Sequence, residues 1–341
     1  MAPARGEPDL DLTEALGDLI DDLRDGGLPS TLGRLLRTIL IINMNLRMRN
    51  VLLAGLTLAA ASCSNIDAAD DAVLVVVTTT VLGDVAANVV GDSAVVEVLI
   101  PIGVDPHDFQ ASARQVARME EADLVVANGL GLEEGLGDVL ASLGGDGHPV
   151  LLVGELLGPL RLIEGGGPDP HIWLDPLRMV TVTGLIADAL EQVAPEGRWR
   201  VAADHYTAEL EAADAEIRAI LAAVPAGRRV LVTNHDSLGY FAERYDFEVI
   251  GVVVPGGSTL AQPSSADLAT LVRVIEQSGV PAIFAETTEP VSLAESIAAE
   301  VGDDVAVVEL FIGSLGGPGS GAETYIEMLL TDANRIAEAF A

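Results

Sequence analysis

The strongest constraint in this sequence is a rhythm that occurs twice. Apolar segments at 73–78, 95–100, 124–127 and 150–153 are short, rich in Val and Leu, and do not alternate with polar residues. That is the pattern of strands buried on both faces of a parallel sheet. Between them, 84–90 and 112–121 carry helical spacing, with Ser112 placed as an N-cap. A second set of apolar segments follows at 229–233, 248–254, 282–286 and 305–310. Pro101 and Gly103 in the first set match Pro255 and Gly257 in the second. A repeated strand–turn–helix order predicts an α/β fold of two pseudo-repeated βα lobes, each with a mostly parallel four-stranded sheet. The segment 199–224 contains neither Gly nor Pro and places Ala203, Tyr206, Leu210 and Ile217 on one helical face. It reads as one long backbone helix joining the lobes, ended by Gly227 after Pro225. The expected boundaries are 72–198 for the first lobe, 199–224 for the helix and 225–341 for the second lobe.

The front of the chain obeys different rules. Residues 1–47 are acidic and loosely amphipathic through Leu10, Leu12, Leu16, Leu19, Ile20 and Leu23. They read as an upstream extension, disordered or untranslated, ahead of a start at Met44 or Met48. Residues 48–63 have the order of a secretory signal: Arg47 and Arg49, an apolar run over 51–61, then Ala60, Ala61, Ser62 and Cys63. The run is too short to span a bilayer. A cysteine at the cleavage point resembles a bacterial lipobox, with Ala60 where Leu is usual, and makes Cys63 the expected lipidation site. Residues 64–71 form a polar tether. The chain is therefore expected outside the cytoplasm, anchored to the membrane by lipid or periplasmic, and monomeric.

Composition narrows the function classes. All 18 basic residues are Arg and the formal net charge is −34. Such a surface repels phosphates, so no nucleic-acid partner is expected. Without Lys, the Gly-rich stretches at 165–167, 255–257 and 316–321 cannot be phosphate loops and read as turns lining a cleft. Cys63 is the sole cysteine, which removes both an intrachain disulfide and a thiolate metal cluster.

The five histidines divide into three and two. His107 lies in Gly103-Val-Asp-Pro-His-Asp-Phe, His171 in Asp169-Pro-His-Ile-Trp-Leu-Asp-Pro, and His235 in Thr233-Asn-His-Asp-Ser. Each falls at or near the carboxyl end of an expected strand, where open parallel sheets place their ligand crevice. Two come from the first lobe and one from the second, so they can converge across a cleft. Imidazole nitrogen suits Zn²⁺ and other borderline metals, and three His with one oxygen complete a four-coordinate site. His148, in a Gly-rich loop, and His205, on the long helix, read as solvated. Glu286 ends its strand and is the expected fourth ligand or, equally, the partner that orients an imidazole. Asp236, Glu323 and water are the other sources for that position. Asp105, Asp108 and Asp175 flank the histidines and are placed to hold a free ring N–H.

Four segments carry a resemblance: Asp105-Pro-His107-Asp-Phe, Asp169-Pro-His171-Ile-Trp-Leu-Asp175-Pro, Thr233-Asn-His235-Asp-Ser-Leu-Gly-Tyr-Phe and Ile283-Phe-Ala-Glu286. In this order, over about 72–341, the chain is similar to the zinc/manganese solute-binding lipoproteins of ABC importers. The resemblance implies two βα lobes joined by a backbone helix, with a transported Zn²⁺ or Mn²⁺ between them. His107, His171 and His235 are then the imidazole ligands, and the partner is a membrane permease. Two departures stand out. Gly313, in Leu310-Phe-Ile-Gly-Ser-Leu-Gly316, occupies the place where the family often carries an aspartate. The loop before His171 also lacks the His- and acid-rich insertion of many zinc-specific members. His235, where manganese members can carry Glu, favours Zn²⁺ over Mn²⁺, as do softer nitrogen ligands, with Fe²⁺ left open. Residues 313–321 are expected to order when the metal enters. Two rival classes remain: a zinc-dependent hydrolase with Glu286 as base, although no His-Glu-x-x-His is present, and a surface adhesin of the same fold, although no adhesive repeat is visible.

Overall fold

The computed structural model describes residues 72–341 apart from 164–165 and 303–304. The upstream extension, the signal segment with Cys63 and the tether lie outside the described residues.

The first half runs β1 (Val73–Val77), α1 (Thr80–Val90), β2 (Ala94–Val98), α2 (Ala113–Glu120), β3 (Leu124–Ala127), α3 (Gly137–Gly145) and β4 (Val150–Leu152). Two helices follow, α4 (Pro176–Val193) and α5 (Trp199–Leu221). The second half runs β5 (Val230–His235), α6 (Gly239–Tyr245), β6 (Glu248–Val254), α7 (Ser265–Ser278), β7 (Ala282–Glu286), α8 (Ser292–Val301), β8 (Ala306–Leu310) and α9 (Tyr325–Ala339). The two sheets have the orders β2-β1-β3-β4 and β6-β5-β7-β8, and every strand pair is parallel. The second order is the first shifted by four strands, so the repeat heard in the sequence is a repeat of topology.

The strands form because their residues can be buried on both sides. Val75 and Val77 enter one core while Val76 enters another; Leu231 and Phe284 enter the first while Val232 and Ile283 enter a third. This is the two-residue alternation of a strand applied to a run that is apolar throughout. The first core is shared: it passes from the β1 sheet through Leu190, Leu210 and Ile217 of α4 and α5 to Phe284 and Ile336 of the second half. Each fully buried Val, Leu or Phe contributes roughly 1.5–3 kcal/mol, so this common interior holds the two lobes in a fixed relation.

Local signals set the helix ends. Ser112 with Gln115, Ser264 with Asp267 and Thr324 with Glu327 form capping boxes at α2, α7 and α9. α1 starts at Thr80, a turn earlier than its apolar spacing suggests, because Thr79 accepts the Leu82 N–H. α5 spans 23 residues, about 35 Å, and buries Ala203, Tyr206, Leu210, Ala213, Ile217 and Leu221. It ends at Leu221, well before Gly227. The Arg229 guanidinium collects the carbonyls of Leu221, Val224 and Tyr245 at 3.0–3.1 Å, so a side chain closes this helix where glycine was expected to.

Candidate metal centre

His107 sits in the loop after β2, His171 immediately before a 3₁₀ turn at Ile172–Leu174, and His235 is the last residue of β5 rather than the first of the following turn. The pairing of β5 with β6 shifts register between Leu231, opposite Val249, and Val232, opposite Gly251, before the ladder reaches His235. The three rings are 1–3% exposed. Their Nε2 atoms converge: His171 lies 3.4 Å from His107 and 3.1 Å from His235. One donor atom from each falls within 4.8 Å of the others. Nitrogen ligands about 2.0–2.1 Å from a tetrahedral ion stand roughly 3.4 Å apart, close to the two separations made by His171.

Backbone chemistry fixes the two first-lobe rings. In both Asp-Pro-His segments the aspartate accepts the histidine's own N–H, Asp105 Oδ1 from His107 at 2.9 Å and Asp169 Oδ1 from His171 at 3.0 Å. Asp169 Oδ1 also lies 2.8 Å from His171 Nδ1. That contact places the ring proton on Nδ1 and leaves the Nε2 lone pair aimed at the cluster. Asp169 thus performs the orienting role that sequence reasoning gave to the flanking Asp105, Asp108 and Asp175. Asp108 is exposed, and Asp175 instead caps α4 through Leu177 N and pairs with Arg178 and Arg244. The signal was available, since the Asp-Pro-His triplet occurs at both positions.

Further residues hold the His171 loop. Tyr240 donates to the Asp169 carbonyl at 2.8 Å, and the Asn128 amide donates to the Pro170 carbonyl at 2.9 Å. Asn128 is itself fixed by the buried Glu133, which accepts its N–H. Gly239 leaves room for the Asp169 carboxylate, since a Cβ there would come 2.7 Å from Asp169 Oδ2 and force it to shift. Trp173 stands edge-on to the His171 ring at 5.4 Å. None of these stands out in sequence, because their roles come from contacts between distant segments.

Glu286, fully buried at the end of β7, lies beside His235 with Oε1 3.7 Å from Nδ1, on the side of the ring away from the cluster. Asp236 is buried next to His235, and its N–H donates to the Gly256 carbonyl. Glu323 is exposed and accepts the Gly319 N–H at 2.6 Å. His205 is exposed, as expected, while His148 is half-buried rather than solvated.

The electrostatics favour the neutral form of His107 and His235. Burial, reinforced by the His171 ring, pushes His107 down to about 4, with Asp105 opposing. Burial and the two neighbouring rings hold His235 well below the usual range. Burial raises the Glu286 carboxyl well above its ordinary value, with Asp105 and Glu289 adding to the effect. His107 Nδ1, His235 Nδ1 and Glu286 Oε1 have no hydrogen-bond partner among the described residues. Each buried orphan costs roughly 1–3 kcal/mol, and three inward lone pairs within 4.8 Å repel one another. A cation at the centre of the Nε2 atoms relieves that repulsion, while the Nδ1 atoms stay outside its reach.

This is a two-lobed α/β scaffold presenting a buried cluster of three imidazoles between its lobes. Residues 75–339 match the model of the family described as zinc-uptake complex component A, periplasmic (ZnuA). The zinc-binding protein TroA of Treponema pallidum is 34% identical over 282 residues, covering 80% of this chain and 91% of that protein. The manganese-binding lipoprotein MntA of Halalkalibacterium halodurans is 29% identical over 280 residues, covering 80% and 92%. The structure of the Treponema pallidum periplasmic zinc-binding protein TroA superposes with a TM-score of 0.74 at 33% identity, over 79% of this chain and 99% of that one. The chain belongs to the zinc-uptake component A family.

Proposed function

We propose that this protein captures a divalent transition-metal ion outside the cytoplasm and delivers it to the membrane permease of an ABC importer. The observation that carries the reading is the convergence of three buried imidazole nitrogens from both lobes. His107, His171 and His235 are the ligands. Glu286 acts on His235 through its Nδ1 side in the arrangement present, and reaches the ion only by turning its side chain. An all-imidazole set selects Zn²⁺ over the harder Mn²⁺. The relatives support both metals as a class, since TroA is named for zinc and MntA for manganese. The ion is cargo, so its binding must be tight yet reversible. Cys63 is proposed as the lipid attachment point, residues 64–71 as its tether, and the chain as a monomer with lobes at 72–198 and 225–341 about the helix.

Calorimetric titration of metal-stripped 64–341 with Zn²⁺ and Mn²⁺ tests this, with His171→Ala beside it. One tight Zn²⁺ site, weakened at least about 10³-fold in the variant, is the expected result. Tight Mn²⁺ with weak Zn²⁺ overturns the metal and leaves the family. Binding indifferent to His171 sinks the site and returns the hydrolase and adhesin readings, which turnover and adhesion assays then separate.

A further inference from the structure

One short segment touches all three histidine environments. The connection between β8 and α9 belongs to the second lobe, yet residues 312–315 are hydrogen-bonded to the first. The Trp173 indole N–H donates to the Ile312 carbonyl at 2.8 Å, and Trp173 lies two residues after His171. Gly103, four residues before His107, donates its N–H to Ser314 Oγ at 2.9 Å. The Leu315 N–H donates to Thr80 Oγ1 at 2.9 Å. Between these anchors, Gly313 fits a close junction: a Cβ there would lie 2.8 Å from Thr288 Oγ1, 3.4 Å from Glu286 Oε2 and 3.4 Å from Pro106 Cδ. Pro106 precedes His107, and Glu286 flanks His235. Ile312 and Ser314 are buried, as are Thr80 and Trp173.

We propose that the segment 312–315 is a strap that registers the two first-lobe histidines against the third, with Trp173 and Ser314 as its positioning residues. The inference rests on the three-histidine reading of the site. Gly313 has no side chain to offer the ion, so the strap acts through its neighbours: residue 312 fixes the His171 loop, residue 314 the His107 loop, and the bare Cα at 313 lets Pro106 and Glu286 approach. Burial makes these bonds matter, because a strap lifted from the first lobe leaves the Trp173 N–H and the Ile312 carbonyl without partners. Metal release requires the imidazoles to separate, and the strap must loosen for that to happen. Its loss therefore accelerates release more than it slows capture.

The test is stopped-flow release of Zn²⁺ into a chelator from 64–341, comparing Trp173→Phe, Ser314→Ala and the double variant. Phe keeps an aromatic ring near His171 but deletes the indole N–H together with part of the buried bicycle, whereas Ser314→Ala keeps the backbone and deletes only the hydroxyl, so the Ser314 variant is the cleaner of the two. Each single change is expected to speed release about tenfold, as changes to groups that orient ligands do, with capture slowed less than twofold. The double variant is expected to gain less than the product of the two factors, because both pins hold one strap. Release within twofold of wild type in both single variants overturns the strap, and so do two factors that multiply, which would mark two independent local effects. If Trp173→Phe does not fold, Ser314→Ala alone against wild type and Gly313→Ala decides, the latter being expected to release faster than either. Failure of the wild type to bind Zn²⁺ or Mn²⁺ is a different result, and defeats the function rather than the strap.

Discussion

The two lobes share one topology and furnish the site in opposite ways. The first lobe places its histidines in loops and locks them with backbone chemistry: Asp105 and Asp169 each grip the N–H two residues on, and Asp169 also grips a ring nitrogen. The second lobe places His235 on the strand itself and relies on burial, with its Nδ1 beside Glu286 but 3.7 Å away. Loops need side-chain anchors because their backbone N–H groups have no ladder to enter, whereas a strand residue inherits its position from the sheet. The contrast teaches that a repeated fold does not imply a repeated site.

Asparagine at the two aspartates tests the contrast most strongly. Asp169→Asn removes the charge that holds His171 Nδ1–H and is expected to weaken Zn²⁺ binding about 10–100-fold. Asp105→Asn keeps an acceptor for the His107 N–H and touches no ring nitrogen in the structure, so a loss of only a few-fold is expected. Competition titrations against a chelator measure both. Equal losses would mean that the two Asp-Pro-His loops work alike and that the ring contact of Asp169 is incidental.

The division between what could and could not be read in the sequence follows the same line. The sheets were legible because their Val-rich runs are buried on both faces, a demand that few residue types meet. The three histidines were legible because each stands in an Asp- or Pro-bearing segment, although only His235 lies at a strand end, His107 standing in the loop after β2 and His171 well beyond β4. Asp169 was in view but without a role, since two aspartates two residues before a histidine look alike until one carboxylate is seen to fold back on a ring. Trp173, Asn128, Tyr240 and Ser314 were silent: each acts through a partner 42–211 residues away, and local pattern carries no trace of such pairings. Arg229 closing α5 is the same kind of silence, a long side chain reaching a helix end from beyond the break.

Acid should separate the lobes by a smaller margin. His107 and His235 both lie below the ordinary histidine value of about 6.5. Above that pH both are neutral whether folded or not, and the metal-free fold keeps its full stability. As pH falls from about 6.5 toward 4, the unfolded chain takes up protons that the fold refuses, and stability declines, by about 3 kcal/mol for His107 alone. Urea unfolding of the metal-free protein at pH 7, 5.5 and 4.5 should show this slope. Replacing either histidine with Ala should flatten it, and more so at His235, which is held by the sheet. An equal slope in both variants would mean that the strand and the loop resist protonation alike.

Two buried carboxylates, one in each lobe, give the finest comparison, and their amide variants should move stability in opposite directions. Asp332 of α9 accepts a hydrogen bond from Phe311 N at 3.0 Å, and burial lifts it to about 7 against that bond and Arg335. It is protonated in the fold where the unfolded chain is already ionised, so its contribution is present below about pH 3.8 and lost as pH rises toward 7. Asp332→Asn keeps the carbonyl for Phe311 and removes the charge. Stability at pH 8 should rise by about 1–2 kcal/mol and the decline between pH 4 and 7 should flatten. Glu133 of the first lobe is also raised by burial, but it receives three donors: the Thr78 hydroxyl at 2.6 Å, Asn128 N at 2.8 Å and Gly129 N at 3.0 Å. In Glu133→Gln one acceptor becomes an NH₂ facing an N–H, and a buried donor loses its partner whichever way the amide turns. A loss of about 1–3 kcal/mol follows, together with slack in Asn128 and the His171 loop it holds. Thermal melts of both variants at pH 8 decide the matter: a gain at Asp332 with a loss at Glu133 supports donor count as the difference, and a shift of the same sign in both removes it.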